Sequence, residues 1–209
     1  HGANQTFWWQ PSDGSGGSEE LVAVPGKDVY EGLLTPDVQT VIYRTGSMQS
    51  ADIFYRHLSG DTVTKTFVNT PYGEFAPTLS PDGRWLAYEL DELGSQEVIV
   101  RPFPGPGAQF PVSVGGGLTP LWSRDGRRIF YTFGSKVFEA TVVTSPTFAV
   151  TARRVLFDGP YFLSPGHASF DVAPDGASFV MLRPAAGRAE QIVVIHTWRA
   201  ELRRGSTGA

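Results

Sequence analysis

Short runs of alternating apolar and polar residues recur along this chain, each closed by a cluster of Gly, Pro, Asp or Ser. Alternation of period two marks a half-buried β-strand, because successive side chains point to opposite faces of a sheet. Four segments repeat in similar form: LLTPDVQTVIYRT (33–45), TLSPDGRWLAYEL (78–90), LWSRDGRRIFYTF (121–133) and DVAPDGASFVMLR (171–183). Each predicts a hairpin. An apolar stretch meets a turn sequence such as Pro-Asp-Gly, and alternation resumes at Trp85 and Ala87, Ile129 and Tyr131, Phe179 and Met181. Asp-Gly supplies the positive-φ positions of a tight two-residue turn, and the Pro before it fixes φ where no amide donor is needed. In the first copy Val38 stands in place of Gly, which predicts a turn that differs in detail.

The turn aspartates Asp37, Asp82, Asp125 and Asp175 lie 45, 43 and 50 residues apart. Two more strands are expected after each hairpin: 52–58 and 64–70, then 97–103 and 109–114, then 136–143 and 153–159. Four strands in such a period make one blade of a β-propeller. Complete blades are expected at about 28–70, 73–115 and 117–159. Residues 5–10 and 19–24 read as the third and fourth strands of a part-blade over 1–25. Residues 191–198 read as the third strand of a second part-blade over 166–198, and RAELRR in the tail 199–209 as at most a short helix. The fold class is therefore all-β: a single, partial β-propeller domain of three complete blades and two part-blades.

Composition narrows the alternatives. The chain has 24 Gly and 16 Pro among 209 residues, about one position in five. Both residues weaken helix interiors, which excludes a helical bundle or coiled coil. An aromatic content of 12% supplies core material that a disordered chain lacks. The net charge is −4, with no cationic cluster outside Arg199, Arg203 and Arg204, so the basic stripe of a nucleic-acid binder is missing. No apolar run reaches the ~18 residues of a membrane-spanning helix. With no cysteine, disulfides and thiolate chemistry fall away. The chain opens at His1 inside what reads as a strand, as a piece of a longer parent would.

The segment FAPTLSPDGRWLAYELDELGSQEVIVRPFPG, with PLWSRDGRRIFYTF and FDVAPDGASFVMLRP, resembles the TolB-type, WD-like six-bladed β-propellers of bacteria. It is most similar to the propeller modules found at the C-terminus of some bacterial serine/threonine kinases. That resemblance implies a binding or sensing module and a periplasmic or otherwise extracytoplasmic setting. It also implies that the missing part lies N-terminal to His1. Six blades of this period need roughly 260 residues, more than the chain has. Two outcomes stay open at this point: a ring of four closed by the two part-blades, or an arc whose strand edges pair with a second chain. Unpaired edges are aggregation templates, so edge pairing and a homo-oligomer are expected.

No nucleophile elbow, P-loop, dinucleotide fingerprint, zincin helix or kinase signature is present. Binding at the channel mouth of a propeller remains, where the inner strands begin. Counting back from each turn places Val29, Glu74, Gly117 and His167 at one equivalent level, and Glu31, Ala76, Thr119 and Ser169 two residues further on. Glu31, Glu74, Thr119, His167, Ser169 and Asp171 are accordingly the candidate ligand-binding residues. The ligand expected there is a protein, a peptide or a small molecule. An alternative is that Glu31, Glu74 and His167 hold a divalent metal, zinc, manganese or calcium. Such an ion would activate water for hydrolysis of esters, lactones or phosphotriesters. The acidic loop Asp91, Glu92 and Glu97 is expected to be a solvated hairpin, and His57 and His196 surface or structural histidines. Trp85 and Trp122 are expected in the core, with one of the adjacent Trp8 and Trp9 exposed.

Overall fold

The computed structural model of the chain describes residues 4–47, 50–92, 95–162, 167–184 and 190–196. It is all-β there, with five antiparallel sheets in chain order. The first pairs β1 (Phe7–Trp9) with β2 (Glu19–Val22). A blade follows from β3 (Val29–Leu34), β4 (Thr40–Ser47), β5 (Ser50–His57) and β6 (Lys65–Val68). The next contains β7 (Gly73–Leu79), β8 (Trp85–Glu92), β9 (Ser95–Pro102) and β10 (Phe110–Pro111). The third complete blade is β11 (Leu118–Trp122), β12 (Arg128–Phe133), β13 (Lys136–Val143) and β14 (Ala149–Asp158). The last sheet has three strands, β15 (Phe170–Val172), β16 (Ser178–Pro184) and β17 (Glu190–His196). Every sheet is a simple meander, sequential strands being neighbours. Trp198, His1 and the tail 199–209 lie outside the described residues.

Period-two alternation on the second strand of each blade decides which neighbour a side chain meets. Leu86, Tyr88 and Leu90 turn back onto the first complete blade, packing with Ile42, Ile53, Phe67 and Val68. Ala87 turns forward, into the cluster of Trp122, Ile129, Tyr131 and Ala140. Phe130 in turn meets Phe170, Phe179 and Met181 of the last sheet. Ile42, Ala87 and Phe130 are fully buried at this forward position, whereas their counterpart Val180 is 41% exposed. Burying a side chain the size of Ile42 or Phe130 contributes about 1.5–3 kcal/mol. The core is thus a series of slabs between blades. Trp85 and Trp122 belong to it, but Trp8 and Trp9 are both exposed.

The hairpin loops correct the two-residue expectation. Ser80 N–H donates to Trp85 O at 2.8 Å, leaving four residues, Pro81 to Arg84, in the loop. The Ser80 hydroxyl donates to Asp82 at 2.6 Å and accepts from the Trp85 amide at 3.0 Å, while Asp82 also accepts from the Arg84 amide. The same hydroxyl–aspartate lock joins Thr35 to Asp37 and Ser123 to Asp125, each at 2.6 Å. Asp acts here as an acceptor, and only Gly83 needs positive φ, at 74°. The first copy does not differ after all: Val38 adopts the same left-handed conformation, at φ 57°. In the last hairpin Ala173 takes the hydroxyl position, and Asp175 keeps only the Ala177 amide of this pattern.

Candidate functional site at the channel mouth

Opposite the Asp-Gly loops, the inner strands begin with an irregularity in each complete blade: between Val29 and Glu31, Phe75 and Thr78, and Leu118 and Leu121. In two of them a non-glycine residue turns left-handed, Ala76 and Thr119, both at φ 47°. That turn points a backbone amide out of the sheet toward the preceding blade. The Ala76 amide donates to Glu31 Oε2 at 3.1 Å, and the Thr119 amide to Glu89 Oε2 at 3.3 Å. Gln96 Nε2 adds a bond to Glu89 Oε1 at 2.9 Å, and the Thr119 and Thr132 hydroxyls meet at 3.0 Å. Carboxylates therefore tie the first complete blade to the second and the second to the third.

Glu31 is the centre of this array. Its Oε2 accepts from Arg44 Nε at 2.7 Å as well as from the Ala76 amide. Its Oε1 lies 3.1 Å from His167 Nδ1, contributed by the approach to the last sheet. The Arg44 side chain is 1% exposed and sandwiched, its guanidinium 4.9 Å from the Tyr30 ring centre and 5.3 Å from that of Phe75. His167 is half exposed, so the pair presents an imidazole that a fixed carboxylate orients. A buried cation holding one oxygen leaves the other to set the imidazole, the geometry by which an acid positions a histidine.

The other predicted residues do not join this pair. Glu74 is fully buried; its Oε1 accepts from Thr70 at 2.5 Å and its Oε2 has no hydrogen-bond partner. Burial pushes its carboxyl up to about 7, against the Thr70 bond, and the Asp52 carboxylate pushes the same way. Burial also raises Asp52 itself, the Lys27 ammonium opposing. Thr119 is buried in the inter-blade network, and Ser169 follows His167 half-buried. Asp171 is exposed, bonds its neighbour's amide, and lines a separate pocket with Trp122 and Arg124. Among the described residues no three His, Asp or Glu side chains form a cluster suited to a metal ion. Of the three expected ligands, Glu31 and His167 meet and Glu74 stands apart.

Outside the mouth, His57 bonds Thr40 Oγ1 through Nδ1 at 2.8 Å and meets Tyr55 edge-on, a structural role. His196 lies in β17 by its backbone. Glu97 of the acidic loop is engaged, receiving the Ser113 hydroxyl and the Gly116 amide. Arg44 was missed in the sequence although it carries a signal: a lone charge inside the apolar run VIYRT. The amides of Ala76 and Thr119 carry none.

No family model matches the chain, and no curated protein matches it either. Solved structures do. TolB from Acinetobacter baumannii superposes with a TM-score of 0.65 at 15% identity, over 89% of this chain and 45% of that one. A puromycin-hydrolyzing peptidase from Mycobacterium tuberculosis gives 0.63 at 18% identity, over 87% of this chain and 32% of that one. The nidogen/laminin complex gives 0.53 at 17% identity, over 75% and 57%. The fold is a TolB-like β-propeller, and the chain spans less than half of the first two structures it matches.

Proposed function

We propose that this chain is a non-catalytic binding module that captures a protein segment, peptide or small ligand at its channel mouth, in an extracytoplasmic setting. The observation that supports it is the meeting of Glu31 and His167 at 3.1 Å from opposite ends of the chain. Blade repetition alone spends polar groups on tying neighbours together, as Glu89 and Thr119 do. His167 is different, because it is held by Glu31 and still half open to solvent. A polar group held in place before binding fits orientation of a bound partner at low entropic cost.

Panning a displayed peptide library against the wild type and against a Glu31→Gln, His167→Ala double variant tests this reading. Peptides that bind the wild type and are lost on the folded double variant support it. Peptides that bind both equally, or none at all, sink it. The same pair also supports a second reading, a metal-dependent hydrolase whose ion rests on His167 and Glu31 with water. Ester hydrolysis that requires added zinc, manganese or calcium and vanishes in His167→Ala would replace the binding proposal with that one.

A further inference from the structure

The outer strands of the three complete blades are unequal. β6 has four residues and β10 two, but β14 runs for ten, Ala149–Asp158. It is the fourth strand of a complete blade, so its outer edge faces away from the axis whatever precedes β1. Its register against β13 shifts on either side of 152–155, where the pairing is regular. The Val142 amide donates to Arg127 O, and residues of an antiparallel strand bond alternately to one side and the other. Glu139 and Thr141 therefore bond to β14, through Arg154 and Ala152. The amides and carbonyls of Arg153 and Val155 are left pointing outward, where an added strand can bond them.

Charge selects the occupant. The third complete blade, over 117–159, carries six Lys or Arg against three Asp or Glu, whereas the second, over 73–115, carries two against six. Arg153 is exposed, and its guanidinium bonds Val112 O at 2.6 Å and Pro111 O at 3.2 Å. Its charge is thus held in place by neutral carbonyls and not by a carboxylate. Arg154 has Glu139 at 2.8 Å but shares it with Arg128 at 3.9 Å. Val155, 39% exposed, lies on the same side of the strand as Arg153. A second copy of β14, paired antiparallel on the regular stretch, would set arginine against arginine, which like-charge repulsion opposes. An extended acidic segment meets the same edge with opposite charge.

We propose that β14 is a docking edge for an extended, acidic segment of a partner protein, separate from the channel mouth. The segment adds a fifth strand to this blade, with a carboxylate against Arg153 and an apolar residue against Val155. A fluorescent octapeptide of alternating Thr and Val with two central Glu should bind in an anisotropy titration over about 1 to 1000 micromolar. Binding should weaken as salt rises from about 0.05 to 0.5 M. Arg153→Gln should weaken it about tenfold, the scale of one hydrogen bond to a charged group. Val155→Pro removes an outward amide and spares the bonds to β13, so it should lose binding with an unchanged circular dichroism spectrum. On the wild-type chain, the same peptide N-methylated at its four central residues should also lose binding, since it keeps both charges and can no longer pair. Equal binding by the N-methylated peptide, by a Lys-for-Glu peptide or by Val155→Pro overturns the proposal, as does no binding at about 1 millimolar. So does a concentration-dependent dimer that Val155→Pro abolishes, because a second copy would then hold the edge.

Discussion

Two side chains hold conformations or charge states their chemistry resists, and both give measurable outcomes. Val38 keeps φ at 57°, a region in which a β-branched residue is strained, because the loop geometry that Gly83 and Gly126 adopt freely is imposed on it. The cost is about 1–2 kcal/mol, partly offset in a glycine variant by greater unfolded-chain entropy. Val38→Gly is therefore expected to stabilise by about 1 kcal/mol and raise Tm by about 2–4 °C in a thermal scan. Glu74 is the second case. Its folded pKa, about 7, lies above the ordinary 4.5, so the folded state holds the proton more tightly than the unfolded chain. Its contribution is fully present below pH 4.5 and is lost as pH rises through about 7. Urea unfolding at pH 5 and pH 8 should show the wild type weaker at the higher pH, by on the order of 2 kcal/mol. Glu74→Gln should flatten that difference, and a wild-type profile rising toward pH 8 would contradict it.

At the scale of the hairpin, the hydroxyl–aspartate lock explains why these loops repeat so faithfully. Removing the Ser80 hydroxyl strips one bond from Asp82 and leaves the Trp85 amide without its partner. Ser80→Ala should cost about 1–2 kcal/mol in chemical unfolding, while Ala173→Ser should gain about 0.5–1 by completing the last copy. An unchanged midpoint in Ser80→Ala would show that water replaces the hydroxyl without loss. The hairpins were legible in the sequence because turn residues and alternation are local signals. The strand β13 runs over the expected 136–143, while the outermost strands shift: 109–114 is expected and Phe110–Pro111 pairs, 153–159 is expected and Ala149–Asp158 pairs. The loop length was not legible, since Asp-Gly serves a four-residue loop as well as a two-residue one. At the mouth, counting back from the turns set His167 level with Glu74 and Glu31 two residues further on, whereas the side chain that meets His167 is Glu31, at 3.1 Å. Counting could not say that the side chain of Glu74 turns into the wall toward Thr70. Nor could it show the amides of Ala76 and Thr119, which act through backbone that side-chain patterns do not describe.

Across the whole molecule, stability is distributed by blade, because each sheet packs only on its neighbours. Phe130 joins the third complete blade to the last sheet, ring to ring with Phe179 at 5.0 Å. Phe130→Ala should cost about 3–5 kcal/mol and act locally. Amide exchange should rise first in β15 and β16 and leave β7 and β8 protected; uniform loss of protection would show one cooperative unit instead. The blades have two ends with different chemistry. The aspartate-locked hairpin loops lie at the ends of the strands away from Glu31, and Gln39 is exposed in the first of them. The strand from Glu31 to the loop separates the two faces by about 13 Å at 3.3 Å per residue. Since the chain has no cysteine, Gln39→Cys introduces a unique thiol. A dye or a surface linker attached there points away from the mouth, so the protein can be immobilised in a single orientation with Glu31 and His167 facing the solution.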